Sequence, residues 1–338
     1  MAKSAPSFDA NTPETETALE FPDNRLLIDL CGEFDRNLAQ VEKDLGVSIL
    51  RRGNVLAIHG DEDARLRAAE ALQSMYGRLE NGRSLEYGDV DAAIRLGDSG
   101  QDTGTLDGDQ IEMFEGPVEI RTRKKPVEPR TTMQKAYVGQ LFAQELVFGI
   151  GPAGTGKTYL AVAAGVSMFL DGHVDRIILA RPAVEAGERL GFLPGDMKDK
   201  VDPFMQPLYD ALNDFLPGKQ VAKLIEDKRI EIAPLAFMRG RTLSNAFVVL
   251  DEGQNATTMQ MKMFLTRLGE NSRMVVTGDT SQIDLPRGVP SGLVEALKLL
   301  DGVKGVGITR FSADDVVRHP LVARIIRAYE SLSAKNVR

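Results

Sequence analysis

The stretch Gly151-Pro-Ala-Gly-Thr-Gly-Lys157-Thr158 decides the fold predicted for this chain. It matches the phosphate-binding pattern G-x-x-x-x-G-K-[ST] at every fixed position. An apolar run at residues 146–150 precedes it and predicts a buried strand, and residues 157–170 follow with the periodicity of a helix. A strand, a glycine-rich loop and a helix N-terminus in this order direct backbone N–H groups and the helix dipole toward one phosphate group. The sequence therefore predicts a nucleotide-binding loop rather than an ordinary glycine-rich turn.

The residue types of the loop assign part of the chemistry to each position. The Lys157 ammonium group is expected to reach the β- and γ-phosphates, and the Thr158 hydroxyl is expected to ligate Mg²⁺. The glycines let the backbone close around phosphate oxygens. The predicted nucleotide contacts in this segment are Gly151, Pro152, Ala153, Gly154, Thr155, Gly156, Lys157, Thr158 and Tyr159.

Apolar segments alternate with helical patterns from about residue 131 onward. This alternation predicts an α/β domain with a parallel sheet, whose ligands bind at the carboxyl ends of the strands. Together with the phosphate-binding loop, it predicts a P-loop NTPase core. The candidate strands are residues 146–150, 174–180, 229–233, 247–250, 273–277 and 305–309.

An acidic pair follows the predicted strand at residues 247–250. Asp251 is expected to hold Mg²⁺ together with Thr158, and Glu252 is expected to orient and deprotonate the water that attacks the γ-phosphate. The alternative is a solvated strand end. A phosphate-binding loop earlier in the same α/β pattern favours the catalytic interpretation.

A third polar group follows the predicted strand at residues 273–277. Asp279 and Gln282 are expected to sense the γ-phosphate by hydrogen bonding, so that hydrolysis changes their partners. The alternative is a local turn in which the aspartate bonds its own backbone. The sequence alone leaves both interpretations open.

The bulk composition is that of a globular protein with two domains. The chain has 338 residues, of which 43% are hydrophobic and 27% are charged. Its net charge of −8 neither indicates nor excludes nucleic-acid binding, because such binding depends on local basic patches. The single cysteine, Cys31, fits a reducing cytosol and predicts a cytoplasmic protein. Since no run of about 18 apolar residues occurs, no membrane association is expected.

The chain is divided by composition into four segments. Residues 1–22 are polar and acidic and are predicted to be a mobile tail, and residues 23–96 are predicted to form a small α+β domain. Residues 97–130 have a Gly/Asp-rich and then basic linker composition, and residues 131–338 form the predicted ATPase domain. The order predicted for the small domain is βαββα, with strands at 26–30, 47–50 and 55–58 and helices at 37–45 and 62–76.

This order resembles that of KH-type RNA-binding units, in which a G-x-x-G loop holds a nucleic-acid backbone. Here the segment Gly32-Glu-Phe-Asp35 lacks the second glycine and carries two acidic residues. The cations that would have to outweigh them are Arg36, Arg51 and Arg52. The alternative is an interaction or ring-assembly module. The basic segment at residues 121–130 leaves a similar choice between contacting a polynucleotide and serving as a solvated linker.

Several motifs together resemble a known family. The segments Gly151–Thr158, Asp251–Asn255 and Gly278–Gln282 resemble the first three motifs of superfamily 1 helicases. More specifically, the chain is identified as a member of the PhoH-like ATPases, a family named after a phosphate-starvation-inducible protein. The resemblance covers roughly residues 117–335. Further matching segments are Arg239–Thr242, Met261–Gly269, Thr277–Pro286, Ser291–Leu293 and Asp315–His319.

The resemblance implies an ATPase that uses Mg²⁺ and acts on RNA, as a hexameric ring with helicase-like activity. It also implies association with the metal-dependent endoribonuclease of ribosomal RNA maturation. A glutamine before the phosphate loop is implied to bind adenine, and Gln134 is the candidate, with Gln140 as the competitor. Arg181 and Arg189 match the helicase segment that contacts nucleic-acid phosphates.

The residues after the phosphate loop suffice for one RecA-like core and not for two. A single core leaves ATP exposed on one side, so an arginine must come from elsewhere to stabilise transition-state charge. In a ring, the neighbouring subunit supplies this arginine. The alternative for each arginine is a pair with a local carboxylate. The candidates are Arg239 and Arg241, followed by Arg310 and Arg318.

Two functions remain open at this point. The first is an RNA-remodelling motor driven by ATP hydrolysis at Lys157, Thr158, Asp251 and Glu252. The second is a slow nucleotide-dependent switch or scaffold for a protein partner, such as the endoribonuclease. The acidic charge balance favours the second slightly.

Overall fold

The computed structural model describes residues 16–85, 87–97, 119–182 and 197–317. These residues fall into two compact units. The first contains residues 16–85, 87–97 and 130–132, and the second contains residues 119–129, 133–182 and 197–317. In the described residues, no helix combines the length and the apolar character needed to cross a membrane.

The described part of the first unit is a three-stranded antiparallel sheet packed against helices. Its elements are β1 (Glu16–Glu20), α1 (Asn24–Cys31), α2 (Arg36–Leu45), β2 (Ser48–Arg52), β3 (Val55–His59), α3 (Glu62–Glu80) and α4 (Tyr87–Gly97). The strand order is β1-β3-β2, and Ala57 of the central strand lies opposite both Ala18 and Leu50. Apolar side chains from all three strands and the helices form one core.

The strand predicted at residues 26–30 is wrong, because these residues belong to helix α1. Leu27, Leu30 and Cys31 are its buried residues, and this spacing of three and four is helical. Asp23 caps the helix by accepting a hydrogen bond from the Arg25 N–H at 2.8 Å. A short apolar run fits a strand and a buried helix turn equally well, so the run alone could not distinguish them.

The mobile tail predicted for residues 1–22 is wrong for residues 16–22. Strand β1 pairs with β3 along its full length. The Phe21 ring is fully buried and packs against the Tyr76 ring, with the ring centroids 4.7 Å apart. The observed order of elements is therefore βααββαα rather than βαββα. A predicted helix at 37–45 and the predicted strands at 47–50 and 55–58 are confirmed, while the predicted helix at 62–76 continues to Glu80.

The segment Gly32–Asp35 forms a short turn between α1 and α2. Phe34 and Asp35 both adopt left-handed backbone angles, with φ of 54° and 56°, which residues other than glycine seldom adopt. The Phe34 ring is fully exposed. The KH-like character of this unit stays a prediction.

The described part of the second unit is a six-stranded parallel sheet with helices. Its strands are β4 (Leu146–Ile150), β5 (Arg176–Arg181), β6 (Ile230–Pro234), β7 (Ala246–Leu250), β8 (Arg273–Gly278) and β9 (Val306–Arg310). Its helices are α5 (Thr132–Ala143), α6 (Lys157–Leu170), α7 (Met197–Phe215), α8 (Gly218–Glu226), α9 (Thr258–Leu265) and α10 (Gly292–Leu299). The strand order is β6-β5-β7-β8-β4-β9. The predicted α/β fold is confirmed, and the six strands lie close to their predicted bounds.

Both faces of this sheet are buried. Because side chains alternate along a strand, Val147 and Val249 face a core that includes residues of α6 and α7. Phe148 and Leu250 face the opposite core, with residues of α9 and α10. Strands that are buried on both faces are continuous apolar runs, which is why the sequence predicted them well.

The register of the sheet determines which polar residues meet. Ile150 of β4 lies opposite Gly278 of β8, and Leu250 of β7 lies opposite Ala180 of β5. The segments that follow these strands therefore start at one edge of the sheet. This edge is where ligands of parallel α/β folds bind.

Candidate nucleotide-binding site

The phosphate-binding loop joins β4 to α6 and depends on its glycines. Gly151, Gly154 and Gly156 have φ of 148°, 90° and 80°, a region that residues with a Cβ atom avoid. A Cβ atom at Gly151 would also lie 2.5 Å from the Phe311 carbonyl oxygen. The Gly151 N–H donates to the Gly278 carbonyl at 3.1 Å, so the loop is tied to β8. The loop conformation therefore requires these glycines.

The Lys157 side chain folds into the loop that carries it. Its ammonium group donates to the carbonyl oxygens of Gly151 and Pro152 at 2.7 and 2.6 Å, and lies 3.2 Å from Thr155 Oγ1. The side chain is buried. The carbonyl groups satisfy the ammonium group within the loop and place it where it would attract a polyphosphate.

The two predicted metal ligands lie side by side. Thr158 Oγ1 donates to Asp251 Oδ1 at 2.6 Å, and Thr277 Oγ1 donates to the same oxygen at 2.8 Å. Asp251 is 6% exposed. Mg²⁺ prefers hard oxygen ligands and commonly takes a hydroxyl and a carboxylate in nucleotide sites. The residues present therefore fit the ion, with Thr158 and Asp251 as its protein ligands.

Glu252 follows Asp251 with a left-handed backbone, at φ of 53°. Its Oε1 accepts a hydrogen bond from Arg181 Nη2 at 2.8 Å, and its Oε2 accepts one from Gln254 Nε2 at 2.6 Å. The side chain is 38% exposed. The carboxylate is thus open to water but held in direction by two donors.

The turn after β8 is organised around Asp279. Its Oδ1 accepts hydrogen bonds from the N–H and hydroxyl of Ser281, at 2.9 and 2.6 Å. Its Oδ2 accepts one from Gln282 Nε2 at 2.8 Å. The local turn weighed as the alternative is therefore present, and Asp279 and Gln282 both line the same cleft as Lys157. Their role as sensors of the γ-phosphate stays a prediction.

Gln134 lies in α5, where the sequence placed it, and contacts the phosphate-binding loop. Its Nε2 donates to the Thr155 carbonyl at 3.0 Å, and the side chain is 4% exposed. The competitor, Gln140, accepts a hydrogen bond from the Thr309 hydroxyl at 2.8 Å. Gln134 thus supports the loop, and its contact with adenine stays a prediction.

Tyr159 lines the cleft and belongs to a polar cluster on its wall. Its hydroxyl donates to Asp214 Oδ2 at 3.2 Å, and Lys125 bonds the same carboxylate at 3.1 Å. Burial raises the pKa of the Tyr159 phenol, and the hydrogen bond with Tyr159 raises the pKa of Lys125. The tyrosine therefore stays neutral and the lysine stays charged around neutral pH.

The candidate arginine fingers differ in their surroundings. Arg241 forms two hydrogen bonds with Glu231, at 2.6 and 2.7 Å, and these bonds raise its pKa. Arg239 and Arg310 are exposed, and neither side chain bonds another group in the described residues. Arg318 and Arg189 lie outside the described residues. The local-pair alternative thus applies to Arg241, and Arg239 keeps its side chain available.

Arg181, expected from the family to contact nucleic acid, is bound within this site. Besides Glu252, it donates to the Phe204 carbonyl at 2.7 Å and lies 3.7 Å from Asp251 Oδ2. It ends β5, which pairs with the strand that carries the acidic residues.

These residues surround one cleft of about 560 Å³. It is formed by the phosphate-binding loop, the acidic pair after β7, the turn after β8 and one side of α7. The lining residues are Ala153, Gly154, Gly156, Lys157, Thr158, Tyr159, Arg181, Pro207, Asp210, Ala211, Asp214, Asp251, Glu252, Gly278, Asp279 and Gln282.

Several residues of this site were not predicted from the sequence: Thr277, Gln254 and the α7 residues Pro207, Asp210, Ala211 and Asp214. The Thr277 and Thr158 hydroxyls both donate to Asp251 Oδ1. The sequence signal for Thr277 was a hydroxyl residue within an otherwise apolar strand. Gln254 bonds Glu252 from a buried position. It belongs to a segment that matched the helicase motifs, but nothing in the sequence showed what its side chain contacts.

A parallel sheet with a glycine-rich loop after one strand, a lysine and threonine at the helix start and an acidic pair on a nearby strand define the P-loop nucleotide-binding proteins. Within this class, the chain belongs to the PhoH family. The family model described as "PhoH-like protein" matches residues 126–330.

Known relatives agree with this assignment. A PhoH-like protein of Bacillus subtilis (strain 168) is 48% identical over 316 residues, which cover 92% of this chain and 96% of that protein. Protein PhoH of Escherichia coli (strain K12) is 47% identical over 206 residues, which cover 60% of this chain and 58% of that protein. Among solved structures, a SWI2/SNF2 ATPase core from Sulfolobus solfataricus in complex with dsDNA has a TM-score of 0.35 and 14% identity, covering 58% of this chain and 47% of that one. This last likeness is too weak to add to the topology.

Proposed function

We propose that this protein is a Mg²⁺-dependent ATPase that hydrolyses ATP in the cleft. The observation that carries the proposal is the hydrogen bond of 2.6 Å between Thr158 and Asp251, beside the buried Lys157. It joins the hydroxyl of the loop to the carboxylate of a separate strand, which is the arrangement that a metal–phosphate group requires.

Each group of residues in the cleft has a separate role in ATP hydrolysis. The loop glycines present backbone N–H groups to the phosphates, and Lys157 supplies a positive charge toward the β- and γ-phosphates. Thr158 and Asp251 would hold Mg²⁺, which neutralises charge on the phosphate oxygens. Glu252 directs the attacking water and accepts its proton. Its partly exposed carboxylate fits this role, because water reaches it while two donors fix its direction.

We further propose that the protein acts on RNA as a ring, with helicase-like remodelling as its output. The exposed Phe34 ring supports a contact with single-stranded RNA in the first unit, since bases stack on exposed aromatic rings. Arg36, Arg51 and Arg52 are exposed and add positive charge, while Glu33 and Asp35 oppose it. Arg239 of a neighbouring subunit is the candidate for the charge-stabilising arginine.

A slow nucleotide-dependent switch is the second candidate. The specific observation in its favour is that both oxygens of Glu252 already accept hydrogen bonds, one of them from a cation. With both oxygens occupied, the carboxylate has fewer free positions at which to bond an attacking water. In this case the nucleotide would control binding of a protein partner, and the endoribonuclease of ribosomal RNA maturation is the partner that the family suggests.

The deciding experiment is steady-state ATP hydrolysis with and without single-stranded RNA, over a series of salt concentrations. Stimulation that fades as salt rises supports the RNA-driven motor, because polynucleotide binding depends on counterion release. Slow hydrolysis that RNA does not change supports the switch. If no hydrolysis occurs under any condition, both the RNA-driven motor and the slowly hydrolysing switch are overturned.

A further inference from the structure

Gln254 connects two parts of the site without lining the cleft. Its Nε2 donates to Glu252 Oε2 at 2.6 Å, and its Oε1 accepts a hydrogen bond from the Asp279 N–H at 3.0 Å. The side chain is 1% exposed, and it is not among the residues of the described chain that line the cleft. One buried amide therefore joins the carboxylate that would activate water to the turn that would contact the γ-phosphate.

The two partners of Gln254 fix the direction of its amide. A carboxylate accepts hydrogen bonds and a backbone N–H donates them, so the NH₂ group must face Glu252 and the oxygen must face Asp279. The reversed amide would set oxygen against carboxylate and NH₂ against N–H, in a buried position where unsatisfied groups are costly. The side chain thus has one arrangement that satisfies both neighbours.

The backbone around Gln254 leaves little freedom for another arrangement. The Ser291 hydroxyl donates to the Gln254 carbonyl at 2.8 Å. A Cβ atom at Gly278 would lie 2.7 Å from Gln254 Oε1, and one at Gly253 would lie 2.6 Å from Val276 Cγ1. Glycines at both positions therefore allow the two segments to approach closely enough for the amide to bridge them.

Glu252 is also held through its other carboxylate oxygen. Arg181 bonds its Oε1 at 2.8 Å, so the carboxylate lies between a cation on β5 and the amide of Gln254. The Arg181 side chain lines the cleft, whereas Gln254 lies behind it. Moving the amide therefore changes the balance between the two donors and turns the carboxylate.

We propose that Gln254 is the positioning residue for Glu252 and that it transmits movements of the turn at Asp279–Gln282 to the Glu252 carboxylate. The inference rests on the proposed ATPase function. Any displacement of the Asp279 N–H must either move the Gln254 amide or break its bond to a buried acceptor. Both changes alter the direction of the Glu252 carboxylate. The conformation of the turn therefore determines whether Glu252 is oriented toward the attacking water.

The test compares Gln254→Glu with the parent full-length chain. The variant keeps the shape of the side chain and an oxygen for the Asp279 N–H, but replaces the donor to Glu252 by a second carboxylate. We expect kcat for ATP to fall on the order of 10- to 100-fold, while the affinity for the nucleotide changes by less than about threefold. This split between kcat and affinity is expected because the variant disturbs the direction of Glu252 and leaves the phosphate-binding loop intact.

Asn255→Ala is the matched control. Asn255 lies in the same turn, is buried, and its Oδ1 accepts a hydrogen bond from the Asp284 N–H at 2.8 Å. Its backbone N–H, which the substitution keeps, donates to the Glu252 carbonyl at 3.0 Å. Loss of the Asn255 side chain should lower kcat much less than Gln254→Glu does. Gln254→Met, which removes both bonds, is the second variant, and thermal unfolding of all three shows whether each is folded.

The outcomes separate the two proposals. An inactive parent chain overturns the ATPase function and this inference together. An active parent with an unchanged kcat in folded Gln254→Glu and Gln254→Met overturns only the role of Gln254. Equal losses of kcat in the Gln254 variants and in Asn255→Ala, or a loss of nucleotide affinity that matches the loss of kcat, show a purely structural role and overturn it as well.

Discussion

The phosphate-binding loop and the turn at Asp279–Gln282 lie at one edge of the sheet, but they keep their shapes by different means. The loop depends on its backbone, with positive φ at three glycines and a lysine that bonds loop carbonyls. The turn depends on side chains, since Asp279 bonds Ser281 and Gln282, and Gln254 bonds the Asp279 N–H. A single substitution in the loop should disrupt its whole backbone conformation. A single substitution in the turn removes one hydrogen bond and leaves the others in place. Substitutions in the loop should therefore abolish nucleotide binding, whereas substitutions around the turn should lower turnover and leave binding in place.

The largest effect is expected for Lys157→Ala, in the phosphate-binding loop. The variant removes the buried cation, and the affinity for MgATP should fall by roughly 10⁴-fold, or about 5 kcal/mol. Titration with a fluorescent ATP analogue measures this, and Lys298→Ala, an exposed lysine outside the cleft, is the control. Unchanged affinity in Lys157→Ala would mean that the loop does not bind the nucleotide.

The next largest effect is expected for Glu252→Gln, at the residue that Gln254 connects to the turn at Asp279–Gln282. The amide cannot accept a proton, so kcat should fall on the order of 10³-fold while ATP stays bound. Rapid filtration with radiolabelled ATP measures the retained nucleotide next to the released phosphate. If binding is lost together with turnover, Glu252 has a structural role and the contrast between the two regions disappears.

A smaller effect, of about a hundredfold in kcat, is expected for Arg239→Ala. Arg241→Ala is the matched control from the same turn, because its guanidinium is already paired with Glu231 and should affect ATP turnover little. Mixing Arg239→Ala with Glu252→Gln chains should restore part of the activity, since each kind of subunit supplies what the other lacks. No recovery on mixing would argue against an arginine acting between subunits.

The smallest effect is expected for Gly278→Ala, which tests the close approach on which the network depends. A Cβ atom there would lie 2.6 Å from Leu293 Cδ2 and 2.7 Å from Gln254 Oε1, and relieving this overlap should cost about 2 kcal/mol of stability. Gly77→Ala in α3 is the control, because a Cβ atom meets nothing within 4 Å and should be neutral or slightly stabilising. Thermal unfolding monitored by circular dichroism compares the two, and equal melting temperatures would contradict the packing argument.

The second unit could be predicted closely from the sequence, for a physical reason. Strands such as β4 and β7 are buried along their whole length, so each is a continuous apolar run with turn residues on both sides. The position of the phosphate loop and of the acidic pair followed from the same pattern. The parallel register then brought Thr158 and Asp251 together.

The first unit and the bonds within the site could not be predicted in the same way. Strand β1 contains Glu16, Thr17 and Glu20 and lacks the apolar alternation of a strand, so its pairing with β3 was not visible. Helix α1 was mistaken for a strand because its apolar run is short. The role of Gln254 depends on the distance between two segments that only the folded sheet brings together.

The most direct test of the central claim is phosphate release from saturating ATP by the parent chain and by Lys157→Ala, each with Mg²⁺ and with excess EDTA. The ATPase proposal predicts release by the parent with Mg²⁺, and none by the parent with EDTA or by the variant. Equal release by both chains, or release by the parent that EDTA does not suppress, would contradict the assignment of the cleft as a Mg²⁺-dependent ATPase site.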